Sequence, residues 1–358
     1  MKLAFVIAKR MSGQGGMEQI VNRVIKNWDE QDDVTLIVSS RTGKNPKWLE
    51  GIKYIKLWFQ AKLLGYPFLL LHLFWTLHKL KPQAAIAADS KAVRYCCWYR
   101  DFFCKELLVV CWIHNTFTNR VAERVKRISS ADLYLCISKG MAKSFAGYGI
   151  DDGIIYVVNN PLEQGVTQVI ARPANAHFVY MGRIMLGVAK STDDFVKALA
   201  LLKGEWRADI IGDGDRGEGE QLKSIAKELG IYDKIKFMGW QDYPWSKVQE
   251  ASCLVMTSDY ETFGLVLTEA MQRGLFCISA ASEPGPVEIV EEGVNGWFYQ
   301  PHDVQALAQL MQKVVDKPMD LPESKEIQSS VEKYSADSVV NKMRKFILAK
   351  LKHLNNYS

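Results

Sequence analysis

His177-Phe-Val-Tyr-Met-Gly182 and Trp206-Arg-Ala-Asp-Ile-Ile-Gly212 are short, largely apolar runs that each end in glycine, and the pattern after each turns helical, over Ser191–Leu202 and Glu218–Leu229. Strand runs alternating with helical patterns in this way suit a parallel sheet covered by crossover helices. Further strands are expected at Ile235–Met238, Cys253–Thr257 and Phe276–Ser279, with a helix from about Gly264 to Arg273.

The first half follows the same grammar. Strands are expected at Lys2–Ala8, Asp33–Ser39, Ala84–Ala88, Leu107–Ile113, Leu133–Ser138 and Ile155–Asn159, and Ile20, Val21, Val24 and Ile25 mark a helix from Gly16 to about Trp28. Pro161–Asn175 is polar, has no clear period and reads as a linker. The expected fold is α/β, with two doubly wound Rossmann-like domains facing a cleft: residues 1–165 and 166–340, then a basic helix at 341–358 packing back on the first domain. In such sheets a ligand binds beyond the carboxyl ends of the strands.

A length of 358 residues agrees with two domains of ordinary size, and 48% hydrophobic with 24% charged residues excludes a disordered or fibrous chain. The longest apolar run, Tyr66–Leu80, contains His72, His78 and Lys79 and falls short of the roughly 20 residues a spanning helix needs. Met1–Ala8 reads as a buried strand rather than a signal peptide. Seven cysteines without a Cys-x-x-Cys pair suit reduced, buried thiols and a cytoplasmic location. Residues 1–160 hold 23 Lys and Arg against 13 Asp and Glu, whereas 161–358 hold 22 against 27, so the first half is expected to face something anionic.

Two glycine-rich motifs are set aside. Gly212-Asp-Gly214-Asp-Arg-Gly217 matches a dinucleotide fingerprint, but Asp213, Asp215, Glu218 and Glu220 oppose an anion at that helix start. Gly182-Arg-Ile-Met-Leu-Gly187-Val-Ala-Lys190 resembles a P-loop with two residues too many before its lysine. The six histidines include no pair with metal-ligand spacing, and no Gly-x-Ser-x-Gly elbow occurs.

The stronger signal is Glu261-Thr-Phe-Gly-Leu-Val-Leu-Thr-Glu269, just after an expected strand. If Gly264 opens the helix, the amides of Phe263, Gly264 and Leu265 form an anion-attracting N-terminus, with one carboxylate on either side to grip hydroxyls. A solvated acidic helix cap is the alternative. Gly182 and Arg183 end the second domain's first strand and Lys190 follows; a planar fork and a point charge can together neutralise a departing diphosphate. Surface pairing with nearby carboxylates would be the plainer reading of those two. Gly15 and Gly16, after the first strand, permit close approach of a substrate to a helix start, and His114 stands at the end of a buried strand.

These features in this order, together with Ile211-Gly-Asp-Gly214, Gly-Gly-Met17 and Asn295-Gly296, resemble the family 4 retaining glycosyltransferases of GT-B fold over most of the chain. More narrowly, Gly239-Trp-Gln-Asp-Tyr-Pro-Trp245, the Arg183-to-Lys190 spacing and Gly285-Pro286 are similar to the lipopolysaccharide-core 1,6-galactosyltransferases of enteric bacteria. The chain departs from that pattern in having Glu-Thr-Phe-Gly for Glu-Gly-Phe-Pro and Trp-Ile-His-Asn for Trp-Pro-His-Phe.

The resemblance implies transfer of a hexose, galactose favoured, from a UDP-sugar to a lipopolysaccharide-core or other surface-glycan acceptor, with retention. It implies an acceptor-binding first domain and a nucleotide-sugar-binding second. It assigns Arg183 and Lys190 to the leaving diphosphate, Glu261 to the donor sugar and Glu269 to the ribose. It also places His114 near the sugar's C6 side, Gly15 and Gly16 near the phosphates, Gly182 among the donor-binding residues, and Trp240 near the base. No metal or other cofactor is expected, since Arg, Lys and helix amides supply the positive charge. Retention is expected by same-face displacement; a covalent intermediate on Glu261 lacks the paired acid of retaining hydrolases.

A nucleotide-sugar epimerase on the same fold, or nucleic-acid binding by the basic half, would be the alternatives. No nucleic-acid partner is expected, because Lys-Arg clusters do not interleave with aromatic readout segments. Tyr54–Pro82 mixes aromatic residues with lysines and suits an anionic inner-leaflet surface, making the enzyme peripheral on the cytoplasmic face of the membrane; a helix hairpin buried in the first core is the competing reading.

Overall fold

The computed structural model describes residues 1–9, 11, 16–39, 47–57, 65–115 and 121–355. The chain divides into two compact units: Met1–Pro161 with Ala336–Ser358, and Leu162–Ser335. The boundaries fall at 161/162 and 335/336, where the sequence reading had put them at 165/166 and 340/341.

Among the described residues the first unit contains a seven-stranded sheet, paired in parallel throughout. Its strands are β1 (Lys2–Ile7), β2 (Asp33–Ser39), β3 (Tyr54–Leu57), β4 (Ala84–Ala87), β5 (Leu108–Cys111), β6 (Leu133–Cys136) and β7 (Ile155–Val157). Helices α1 (Gly16–Lys26), α2 (Gly65–Leu80), α3 (Ser90–Phe103), α4 (Val121–Ile128) and α5 (Lys139–Gly147) form the crossovers. The sheet order β3-β2-β1-β4-β5-β6-β7 reverses direction between β1 and β4. At that reversal the buried Asp89 carboxylate accepts from the amides of Ala8 (2.7 Å) and Lys9 (3.1 Å) with one oxygen, and from Lys91 and Ala92 (both 3.0 Å) with the other. One side chain thus caps α3 and ties down the chain leaving β1.

The second unit has a six-stranded parallel sheet among the described residues: β8 (Ala176–Met181), β9 (Trp206–Ile211), β10 (Ile235–Gly239), β11 (Cys253–Met256), β12 (Phe276–Ala280) and β13 (Gly296–Tyr299). Its helices are α6 (Thr192–Ala200), α7 (Glu218–Glu228), α8 (Leu265–Gln272), α9 (Pro286–Ile289), α10 (Val304–Asp316) and α11 (Ser324–Ser330). The order β10-β9-β8-β11-β12-β13 reverses between β8 and β11, so the loops leaving these two strands lie side by side.

The closing helix α12 (Ala336–Asn355) belongs to the first unit. Arg344 on it pairs with Asp29 (3.0 Å) and Asp32 (2.9 Å), and Phe346 stacks on Tyr156 at 4.1 Å. All seven cysteines are free and six are buried; burial pushes the Cys97 and Cys136 thiols up to about 12, making them packing groups rather than nucleophiles.

At the carboxyl edge of the second sheet the chain leaving β9 crosses close to the chain leaving β8. A Cβ on Gly212 would stand 1.8 Å from the Gly182 carbonyl oxygen, so only glycine allows that approach. Gly212→Ala is therefore expected to cost more than about 2 kcal/mol, and Gly217→Ala, at φ 85° with nothing within 4 Å, about 1 kcal/mol for left-handed backbone alone. Urea unfolding of both variants measures this; equal losses would refute the close-approach argument.

Candidate active site

Lys190 and Glu261 meet at the reversal between β8 and β11, with Nζ 2.5 Å from Oε2 and the side chains 30% and 26% exposed. The turn that delivers Lys190 is held in an unfavourable backbone. Ala189 (φ 58°) and Ser191 (φ 42°) are both left-handed without being glycine, and so is His302 (φ 66°) just after β13. All three touch Asp259. Its amide donates to the Ala189 carbonyl (3.0 Å), its Oδ1 accepts from Ser191 Oγ (2.6 Å), and His302 Nε2 lies 3.4 Å from the same oxygen. His302 Nδ1 also lies 3.1 Å from Asp194, and Thr257 Oγ1 donates to the Lys190 carbonyl at 2.7 Å. Three side chains and a backbone amide thus impose the conformation that presents the Lys190 ammonium.

Arg183 is placed differently. Tyr180 donates its hydroxyl to the Arg183 carbonyl (3.0 Å) and accepts from Thr192 Oγ1 (3.0 Å), fixing the backbone beyond Gly182. The guanidinium itself is 60% exposed and lies 3.3 Å from the more exposed Asp215. Such a pair contributes little, so the fork can turn to another anion at small cost.

Helix α8 opens on Gly264, at φ 99° and with no side-chain cap. Its first amides have no intrahelical acceptor and carry the positive end of the helix dipole. Phe263 is buried edge-on against Tyr334 at 5.5 Å, and its backbone packs so closely on Gly285 that a Cβ there would stand 2.2 Å from the Phe263 carbonyl oxygen. Leu265 is half-buried at the first helical position. Glu269, one turn inside, is buried, and its Oε2 accepts from Trp245 Nε1 at 2.9 Å. Arg273 covers the Trp245 ring at 4.9 Å. Trp240 follows β10, is half-exposed and lines a shallow cavity of about 420 Å³ with Gln241, Asp242, Tyr243, Ser246 and Lys247.

In the first unit Gly16 begins α1, while Gly15 lies outside the described residues. His114 stands beyond β5, edge-on to Trp112 at 4.6 Å between centroids. Both its ring nitrogens, the Trp112 indole nitrogen and the Asn160 amide oxygen are buried without a well-aligned hydrogen bond, although the Asn160 side chain lies near enough to the ring to act on it. Buried polar groups are rarely left so, and this set suits a hydroxylated ligand. Burial first and the Lys9 charge second push the His114 imidazole down to about 3, with Asn160 acting in the opposite direction. His114 is thus neutral at physiological pH, able to donate from one nitrogen and accept at the other but not to supply a proton.

Asp213-Gly-Asp215 has Asp-x-Asp spacing, yet Asp213 folds onto its own loop, accepting from the Gly214 amide at 2.8 Å, and Asp215 faces Arg183. Among the described residues no group of three His, Cys, Asp or Glu side chains could hold a metal ion. A cavity of about 500 Å³ lined by His177, Arg207, Asp209 and Lys236 opens at the amino edge of the second sheet, away from every residue singled out from the sequence.

Sequence reasoning missed Ser191, Asp259, His302 and Trp245. The first three act through a backbone conformation, and only the Ser-Asp at 258–259 beside Glu261 hinted at a polar turn.

Two doubly wound parallel-sheet α/β units, the second with a cationic turn and an uncapped helix start at its carboxyl edge, have the architecture of the GT-B enzymes. The family model described as glycosyl transferases group 1 matches residues 171–333. The lipopolysaccharide 1,6-galactosyltransferase of Escherichia coli (strain K12) is 31% identical over 362 residues, covering 98% of each chain. The structure of the lipopolysaccharide outer core galactosyltransferase WaaB in its apo form matches with a TM-score of 0.83 at 27% identity, covering 98% of this chain and all of that one. Anabaena Alr3699/HepE in complex with UDP shares the fold, with a TM-score of 0.84 at 20% identity over 98% of this chain and 100% of that one. The chain belongs to the group 1 glycosyltransferases and is a sugar-transferring enzyme.

Lys190→Ala and Glu261→Ala are each expected to lower turnover at least about a hundredfold with the fold intact, as for loss of a transition-state electrostatic contact. Asp259→Ala, which frees the turn, should cost about tenfold in kcat, and Asp259→Asn, which keeps an acceptor at Oδ1, much less. Steady-state kinetics with circular dichroism checks all four; a kcat for Asp259→Ala equal to wild type would separate the turn from catalysis.

His114 also predicts a pH effect on stability. Its folded value lies below the ordinary 6.5, so its contribution is present above pH 6.5 and is lost as pH falls toward about 3, where the unfolded chain binds a proton that the folded chain does not. In His114→Asn the slope of unfolding free energy against pH over that window should fall by up to about 1.4 kcal/mol per unit. An unchanged slope in urea titrations would show that the ring is solvated.

Proposed function

We propose that the enzyme moves galactose from UDP-galactose to a hydroxyl of a lipopolysaccharide-core acceptor, with retention at the anomeric carbon. The observation that supports this most is the 31% identity to the E. coli lipopolysaccharide 1,6-galactosyltransferase over nearly the whole of both chains.

On this reading Lys190 exchanges partners. An arriving diphosphate draws the ammonium from Glu261, and the freed carboxylate oxygens take the donor sugar's hydroxyls. Arg183 turns from Asp215 to the same diphosphate, the amides of Phe263, Gly264 and Leu265 meet its oxygens, and Gly182 lets it approach the strand end. Glu269, braced by Trp245, takes the ribose hydroxyls and Trp240 lies against the base. In the first unit, neutral His114 offers a sugar hydroxyl one donor and one acceptor, and Gly16 opens α1. The bond from the anomeric carbon to the β-phosphate oxygen breaks, the acceptor oxygen bonds that carbon on the same face, and the departing phosphate oxygen takes the acceptor's proton.

The cations and helix amides carry the leaving-group charge in this scheme, with no metal or other cofactor, and the acceptor is a glycolipid at the inner face of the cytoplasmic membrane. Among the described residues no helix is long and apolar enough to cross a membrane.

UDP should raise the melting temperature more than GDP or ADP at equal concentration, because only a ligand of the native state stabilises it. Transfer from UDP-galactose to core oligosaccharide should persist in EDTA. A strict Mg or Mn requirement would overturn the metal-free scheme, and UDP-sugar isomerisation without an acceptor would replace the transferase reading by an epimerase.

A further inference from the structure

Helix α2 is apolar on two opposite faces. Leu73 and Leu77 are fully buried, and Thr76 nearly so, whereas Phe68, Leu71 and Trp75, at i, i+3 and i+7, are 51%, 63% and 58% exposed. The first set meets the sheet; the second lines one outward stripe. Connections β3-to-β4 and β4-to-β5 both step the same way along the sheet, so the right-handed rule puts α2 and α3 on one side. Phe74 joins them, 5.6 Å from both Tyr99 and Phe103. The stripe therefore continues into Phe102 and Phe103 at the end of α3, which are 76% and 63% exposed. Five large apolar side chains on one flank exceed the scattered exposure ordinary for a protein surface.

The charge around this flank is mostly positive, although Asp101, paired with Arg100, and Glu106 are exposed beside Phe102 and Phe103. Between residues 51 and 88 the chain has five lysines and no Asp or Glu. Lys79 lies 5.8 Å over the Trp75 ring, and Lys81 and Lys105 are exposed at the amino-edge end of α2 and α3. The first unit as a whole holds 28 Lys and Arg against 14 Asp and Glu. A symmetric pairing of two copies through this flank would set lysines against lysines.

We propose that the α2–α3 flank, with Phe68, Leu71, Trp75, Phe102 and Phe103 inserted and Lys79, Lys81 and Lys105 at the headgroups, docks the enzyme on an anionic lipid bilayer. Aromatic and aliphatic side chains enter the headgroup boundary shallowly while the lysines meet the negative surface. The inference rests on the membrane-borne acceptor for its purpose, but lipid binding is measured without sugar transfer and so stands or falls separately.

The experiment is co-sedimentation of the full chain with vesicles of phosphatidylcholine alone or with phosphatidylglycerol, at low and high salt. Wild type should pellet with the anionic vesicles at low salt and be released at high salt. The triple variant Leu71→Ser, Trp75→Ser, Phe102→Ser should partition at least about tenfold more weakly, and Lys79→Glu with Lys81→Glu likewise. Both should keep the wild-type melting temperature and wild-type transfer to lipid-free core oligosaccharide. Wild type left in the supernatant, equal binding to neutral vesicles, or undiminished binding by either variant overturns the proposal. So does a concentration-dependent dimer in sedimentation velocity that the triple variant abolishes, since a second copy would then cover the flank.

Discussion

The left-handed turn at Ala189–Ser191 is the constraint on which the carboxyl edge of the second unit depends. Lys190 and Glu261 are 71 residues apart and meet because β8 and β11 are neighbours where the strand order reverses. Adjacency alone would leave a long, flexible lysine free to choose among nearby carboxylates. The backbone of residues 189–191 removes that choice, at a conformational cost of the order of 1–2 kcal/mol per residue. Asp259, from the loop after β11, offsets that cost with a hydrogen bond to each flank of the lysine, and His302 after β13 braces Asp259 in turn. The loops after three strands, β8, β11 and β13, thus hold one ammonium, and a change in any of them is felt at Glu261.

Legibility in the sequence followed how local each cause is. The parallel strands were readable because double burial leaves runs such as Phe178–Met181 and Leu254–Met256 without a polar alternation to misread. β3 was not, since this four-residue edge strand has Tyr54 and Lys56 exposed and looks like loop. Glu261 and Lys190 could be singled out from motif order and spacing. The Asp259 clamp could not, because nothing in Ser-Asp-Tyr or Pro-His-Asp signals that an alanine and a histidine adopt glycine-like backbone. Glu269 reads as a helix acid; its bond to Trp245 comes from a loop 24 residues earlier that only the sheet order brings near. The neutrality of His114 depends on burial and on Lys9, neither of which its neighbours in sequence reveal.

Charge is divided between the units more sharply than between the halves of the sequence. Because α12 returns to the first unit, that unit holds 28 basic against 14 acidic residues, and the second holds 17 against 26. In an acidic unit, a few cations and helix amides gathered at one edge form a local exception to the surrounding field, which favours an anion there and little elsewhere. The acids of the Gly212–Gly217 loop contribute to the same selectivity. Asp213 and Glu218 take up the amides of their own turn, which removes the nearest competing anion cradle.

The direction of α2 and α3 relates the apolar flank to the chemistry in the first unit. Crossover helices run antiparallel to the strands they join, so Phe68 lies toward the carboxyl edge of that sheet, whereas Lys79 and Phe103 lie toward its amino edge. His114 with its unpartnered neighbours belongs to the carboxyl edge. A flat surface resting on the flank is parallel to the helix axes, and the carboxyl edge then opens along that surface instead of into it. An acceptor whose lipid end is embedded and whose sugars extend from the headgroups meets such an edge from the side. A chain docked through either sheet edge would bury it or turn it away, so for the proposed docking the orientation of the apolar stripe matters more than its area.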